Sequence, residues 1–202
     1  MFDCPLYPII DIDLCDRRGL DPRALGEAFL AGGARMIQVR QKSAGSRALL
    51  EVTRDVVALS STHGARVILN DRADLARMAG AQGVHVGQDD LLPSAVKAIA
   101  GQHAIVGLST HSREQVDAAV EQPVDYIAVG PVFPTRTKET GYEPGGLALV
   151  RYAATKGPPV VAIGGITLDN ARQVLAAGAS AVALISDLVG TDPEARIRAF
   201  LE

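Results

Sequence analysis

Residues 66–90 read RVILNDRADLARMAGAQGVHVGQDD, and this stretch decides the fold. A β-branched run at 66–70 ends in Asn70-Asp71, a short helical pattern occupies 73–79, and Gly80 closes it. A second β-branched run at 83–87 then leads into Gln88-Asp89-Asp90. A strand–helix–strand unit of this kind imposes parallel pairing and a right-handed crossover. Both strands of the unit end in acidic residues.

The same unit repeats along the whole chain. Strand-like runs fall at 6–11, 36–41, 66–70, 83–87, 104–109, 126–132, 160–163 and 181–186. Between them, residues 22–31, 46–60, 73–79, 93–100, 113–121, 146–156, 168–177 and 193–201 carry apolar positions at spacings of three and four. Ser112 before Arg113 and Asp192 before Pro193 have the chemistry of helix N-caps. Eight strands alternating with eight helices close into a compact (β/α)8 TIM barrel forming a single domain over residues 1–202. The rival, an open doubly wound sheet, would carry a G-x-G-x-x-G loop after its first strand, and no such loop is present.

Composition narrows the function. The chain is 48% apolar and 21% charged with a formal net charge of -3, and its basic residues are dispersed, which argues against nucleic acid as a partner. Cys4 and Cys15 are too few for a disulfide framework or a closed zinc site, and they read as buried thiols. Asp3, Asp11 and Asp13 interrupt any signal-peptide pattern, and no apolar run approaches the ~20 residues of a membrane span. A cytoplasmic setting is the expectation. Helix surfaces at the bottom of the barrel leave room for a homo-oligomer, without a decisive patch.

In a barrel, chemistry gathers at the C-terminal strand ends. Gln38, Arg40 and Lys42 alternate along the second strand, so all three point to one face. Asn70-Asp71 and Asp90 stand at the next two strand ends, where two carboxylates can share a cation. Their oxygens favour Mg2+ over zinc, with substrate phosphates completing the octahedron. Helix capping is the competing explanation for Asp71, Asp89 and Asp90. Ser109 can donate to an anionic oxygen, His111 suits a cap region, and His85 suits a satisfied structural histidine facing the barrel interior. The polar segment from Pro131 to Lys138 has the length of a binding loop, and Gly164-Gly165 with Ile185-Ser186 occupies the common barrel phosphate position.

Seven motifs then stand in a familiar order: Q-V-R-Q-K, N-D-R-A-D-L-A, G-V-H-V-G-Q-D-D, G-L-S-T-H-S, D-Y-I-A-V-G-P-V-F-P-T-R-T-K, V-A-I-G-G-I-T and L-I-S. From about Tyr7 to Ser186 the chain resembles the thiamine-phosphate synthase family. The resemblance implies a transferase that joins hydroxymethylpyrimidine diphosphate to thiazole phosphate and releases diphosphate by a dissociative route. It also implies roles. Arg40, Lys42, Asn70 and Lys138 hold the diphosphate, and Asp71 and Asp90 hold Mg2+. Gln38 and Ser109 meet the pyrimidine or diphosphate. Thr135 and Thr137 face the thiazole, and Gly165, Ile185 and Ser186 the thiazole phosphate. Arg40, Lys42, Ser109 and Lys138 are the catalytic set. The related thiazole tautomerase, which relies on a histidine at a position like His111, and a non-catalytic thiazole- or thiamine-phosphate binder are the alternatives.

Overall fold

A computed structural model describes residues 2, 4–43, 45–135 and 141–201. Among these, eight parallel strands close into a barrel in sequence order: β1 Leu6–Asp11, β2 Met36–Arg40, β3 Arg66–Asn70, β4 Gly83–Val86, β5 Ile105–Thr110, β6 Tyr126–Val129, β7 Val160–Ile163 and β8 Ala181–Leu184. The helices are α1 Ile12–Arg18, α2 Pro22–Ala31, α3 Ser46–Thr62, α4 Ala73–Ala79, α5 Pro93–Ala100, α6 Arg113–Val120, α7 Gly146–Ala154, α8 Leu168–Ala176 and α9 Pro193–Leu201, with a 3-10 turn at Ser186–Leu188.

Strand alternation sorts the core into two compartments. Ile10, Ile37, Val39, Val67, Leu69, Val84, Val106, Ile127 and Val182 face outward and pack under the helices. Tyr7, Ile9, Met36, Ile68, Tyr126, Ala128, Val161, Ala181 and Ala183 fill the barrel interior. Small residues on β6 and β8 leave room for two tyrosines inside. Phe2 closes the lower end, its ring edge-on to Tyr126 at 5.6 Å.

Several element bounds shift by a residue or two, and three changes bear on the site. Helix α1 occupies residues to which the sequence pattern assigns no element; it is too short and too charged for an apolar period to stand out. Asp11 caps it, accepting from the Leu14 amide at 2.9 Å, and Gly19 ends it in the left-handed region. β6 stops at Val129, not at residue 132, and β8 at Leu184, not at residue 186. At β6 the chain leaves the sheet because Val132 and Phe133 donate instead to the carbonyls of Ile163 and Gly164, laying the following loop over the end of β7. At β8, Ser186 turns into the 3-10 helix.

Candidate functional site

The polar strand ends converge. Gln38, Arg40, Lys42, Asn70, Asp71, Asp90, Ser109, Thr135, Gly165, Ile185 and Ser186 all line one cavity of about 540 Å³ at the C-terminal mouth of the barrel. Thr137 and Lys138 lie outside the described residues.

One wall is built on register. In the pairing of β1 with β2, Asp11 stands opposite Arg40, and Arg40 Nη1 donates to Asp11 Oδ2. Asp13 on α1 accepts from the Lys42 amide at 2.8 Å and from the Ser43 hydroxyl. Slight burial pushes the Asp13 carboxyl up, but the bonds from Ser43 and Lys42 outweigh it and hold the group below its ordinary range. Helix α1 therefore fixes the strand end that carries both cations. Asp11 and Asp13 are missed by sequence reasoning. Only the register of β1 against β2 reveals them.

The acidic wall follows. Lys42 Nζ donates to Asp71 Oδ2 at 2.5 Å, and the Asp71 and Asp90 carboxyl groups hydrogen-bond to each other. Burial raises the Asp71 carboxyl above its ordinary value; the ammonium of Lys42 opposes this, and the Asp90 carboxyl adds to it. Neither carboxylate caps a helix. The N-cap of α4 is Arg72 and that of α5 is Leu92, both without side-chain capping bonds, while Asp90 Oδ2 accepts from the Gly87 amide at 2.8 Å. Asp71 takes φ +62°, a left-handed conformation rare for a residue with a Cβ, and its amide donates to the His85 carbonyl. Beside it, the buried Asn70 Nδ2 has no protein acceptor. A buried donor without a partner is costly, so this amide can take an incoming acceptor.

No group of three or more His, Cys, Asp or Glu able to hold a metal occurs among the described residues. A two-carboxylate site with phosphate oxygens supplied by a ligand needs no such group, and it is the kind of donor set Mg2+ accepts.

On the opposite wall, Gly164 and Gly165 have φ of +98° and +64°. A Cβ on Gly164 would lie 2.7 Å from Pro131 Cα, and one on Gly165 would lie 2.6 Å from the Pro134 carbonyl oxygen. The pair is thus a turn that the loop 131–135 crosses in contact, bringing Thr135 and Gly165 onto one surface. Asn170 steadies it: Nδ2 donates to the Gly165 carbonyl at 3.0 Å, while Oδ1 accepts from the Thr167 amide at 2.8 Å.

The floor is a chain of polar groups. Gln38 Nε2 donates to Tyr7 Oη at 3.2 Å, Tyr7 and Tyr126 share a hydrogen bond of 3.0 Å, and Tyr126 Oη lies 2.9 Å from His85 Nδ1. His85 Nε2 lies 2.8 Å from Ser109 Oγ. His85 is therefore a partnered interior histidine that also lines the cavity. His111 does the same at the rim, bonding the Gly130 carbonyl through Nδ1 and stacking on Tyr142 at 4.0 Å. The signal for Tyr126 is Gly107, a glycine inside a strand, which marks a close approach.

Comparison with known proteins places this geometry. A family model described as "Thiamine monophosphate synthase" matches residues 6–188. The chain is 46% identical over 179 residues to the thiamine-phosphate synthase of Anaeromyxobacter dehalogenans, covering 88% of this chain and 80% of that protein. It is 44% identical over 167 residues to that of Caldicellulosiruptor saccharolyticus, covering 82% and 76%. A solved structure of thiamine phosphate pyrophosphorylase from Pyrococcus furiosus superposes with a TM-score of 0.87 at 32% identity, over 97% of this chain and 93% of that one. With a family model that runs from the first strand past the last and relatives at this identity, the chain belongs to the thiamine monophosphate synthase family.

Proposed function

We propose that the chain makes thiamine phosphate, joining 4-amino-2-methyl-5-hydroxymethylpyrimidine diphosphate to 4-methyl-5-(2-phosphoethyl)thiazole with release of diphosphate. The observation that carries this reading is the acidic wall. Two touching carboxylates, a lysine and an unpartnered asparagine amide sit together across the cavity from the glycine turn. That arrangement offers separate places for a leaving diphosphate and a terminal phosphate.

In this assignment Arg40 and Lys42 neutralise charge as the C–O bond to diphosphate stretches, joined by Asn70 and by Lys138. Arginine can grip two oxygens in one plane while lysine acts as a point charge. Asp71 and Asp90 would hold Mg2+, which supplies charge stabilisation for the departing group. Gln38 and Ser109 contact the pyrimidine or the diphosphate, with Ser109 able to donate to an anionic oxygen. Thr135 and Thr137 flank the thiazole, and Gly165, Ile185 and Ser186 receive its phosphate. The pyrimidine-methyl cation left behind is captured by the thiazole nitrogen, so no protein nucleophile is needed. Holding both rings in line replaces a bimolecular encounter and is worth roughly 7–11 kcal/mol of barrier. The cytoplasm is the proposed setting, supported by two buried, unpaired thiols.

The test is to mix purified chain with both substrates and follow thiamine phosphate with and without Mg2+. Metal-dependent product supports the assignment. A folded chain that binds thiazole phosphate yet forms no product overturns it and turns attention to His111.

A further inference from the structure

The four hydrogen bonds beneath the cavity join Gln38 on β2 to Ser109 on β5 through Tyr7, Tyr126 and His85. We propose that Tyr7 and Tyr126 are positioning residues. They transmit the orientation of the Gln38 amide to the His85 tautomer, and so commit the single proton of Ser109 to the cavity.

The Gln38 amide sets the direction in which the proposed chain runs. Gln38 Nε2 can only donate, so Tyr7 Oη accepts at that end. In the proposed chain Tyr7, with one lone pair taken by Gln38, gives its proton to the Tyr126 oxygen at 3.0 Å, and Tyr126 gives its own to His85 Nδ1 at 2.9 Å. Burial raises both phenols well above their ordinary values, so both keep their protons. A neutral imidazole that accepts at Nδ1 carries its proton on Nε2, and Nε2–H then donates to Ser109 Oγ. A hydroxyl has one proton, and with Oγ already accepting from His85 that proton is free to point at a ligand. Were the chain reversed, Ser109 would give its proton to His85 and turn only lone pairs toward an anion. The direction of the chain thus decides whether Ser109 attracts or repels a negatively charged oxygen.

Strand register and ring packing hold this line in place. The register sets His85 opposite Gly107 and Gly107 opposite Tyr126. A Cβ on Gly107 would fall 2.0 Å from Tyr126 Cζ, so the glycine is what lets the phenol cross a strand and reach His85. The Tyr126 and His85 rings stack with centroids 5.6 Å apart at 21°, and Tyr7 meets Tyr126 edge-on at 6.0 Å. Replacing either tyrosine by phenylalanine keeps these ring contacts and removes only the relay.

The experiment is nitrogen NMR on the full-length, uniformly 15N-labelled chain, with His85 assigned by its loss in His85→Gln. The expected result is one tautomer, Nδ1 unprotonated and Nε2 protonated. In Tyr126→Phe, and also in Tyr7→Phe, which reaches His85 only through Tyr126, the two ring nitrogens shift toward a tautomer mixture. Loss of side-chain packing alone would not produce that shift in a variant with native near-ultraviolet circular dichroism. A wild-type His85 protonated on Nδ1 overturns the proposal, as does a tautomer unmoved in the folded variants; Tyr7→Phe decides if Tyr126→Phe does not fold. The catalytic consequence rests on the proposed synthase reaction. There, turnover in both variants falls on the order of 10-fold or more, with KM for thiazole phosphate unchanged. Absent turnover in the parent chain overturns the reaction alone, and an unmoved tautomer overturns the relay alone.

Discussion

Asp11 divides its carboxylate between two jobs: Oδ1 receives the Leu14 amide at the start of α1, and Oδ2 receives Arg40 across the β1–β2 pairing. The guanidinium is thereby held at the cavity wall by a residue that need not touch the ligand. Asp11 is 6% exposed, so the pair is well screened from water. Asparagine can keep the first bond but not the charge of the second. Asp11→Asn should therefore leave α1 intact and raise KM for the pyrimidine diphosphate, by about 10-fold for a partly desolvated charge contact. Asp11→Ala should add the loss of the cap, about 1 kcal/mol, which for a chain of this length lowers Tm by ~2–4 °C. Steady-state kinetics and thermal melts on the two variants separate the roles.

The acidic wall has a pH signature. Asp71 has a raised carboxyl, because burial and Asp90 outweigh Lys42. The native chain then binds a proton in a window where the unfolded chain does not, so the metal-free protein gains stability as pH falls through the folded value. At neutral pH, Asp71→Asn should melt higher than the parent without metal, and the gap should narrow as the pH falls through the raised folded value toward the ordinary carboxylate range. Adding Mg2+ at neutral pH should raise the melting temperature of the parent but not of Asp71→Asn. Melts from pH 7.5 downward check the sign, and a parent that loses stability relative to Asp71→Asn on acidification would contradict it.

The left-handed backbone at Asp71 gives a second, independent comparison. Asparagine tolerates φ near +60° better than residues lacking a short polar side chain, whereas alanine pays roughly 1–2 kcal/mol there. Among variants that all lack the charge, Asp71→Asn should therefore be more stable than Asp71→Ala by about 1 kcal/mol, read by denaturant unfolding. Both should lose turnover if Asp71 holds the metal.

Much of this architecture is legible in the sequence. Strand polarity and the barrel follow from the alternating period, and Gln38, Arg40 and Lys42 fall on one wall because side chains alternate along a strand. Asp71 and Asp90 illustrate the limit. Their positions read equally well as helix caps, and only the uncapped starts of α4 and α5 remove that explanation. Asp11 and Tyr126 lie deeper still. The role of each depends on a register partner far away in sequence, Arg40 for one and Gly107 for the other, and periodicity carries no register. Helix α1 escapes notice because seven residues rich in charge hold too little apolar pattern to rise above a loop.

The glycine turn separates backbone strain from crowding. Gly165→Ala would place a methyl group 2.7 Å from Phe133 Cβ and 2.6 Å from the Pro134 carbonyl oxygen, at φ +64°. Gly64 has nearly the same backbone, φ +61°, with nothing within 4 Å of the place a Cβ would take. Alanine at either site carries the left-handed penalty of roughly 1–2 kcal/mol, so both variants should lose a similar few degrees of melting temperature from that source. Only Gly165→Ala must also lift the loop 131–135 off the turn, and the backbone atoms in its way cannot swing aside as a side chain could. Its KM for thiazole phosphate should rise by about 10-fold or more, since a displacement near 1 Å suffices for such losses. Gly64→Ala should bind thiazole phosphate like the parent. Calorimetric titration of thiazole phosphate into both variants decides the matter: equal weakening would mean that strain, not the contact between loop and turn, governs that end of the cavity.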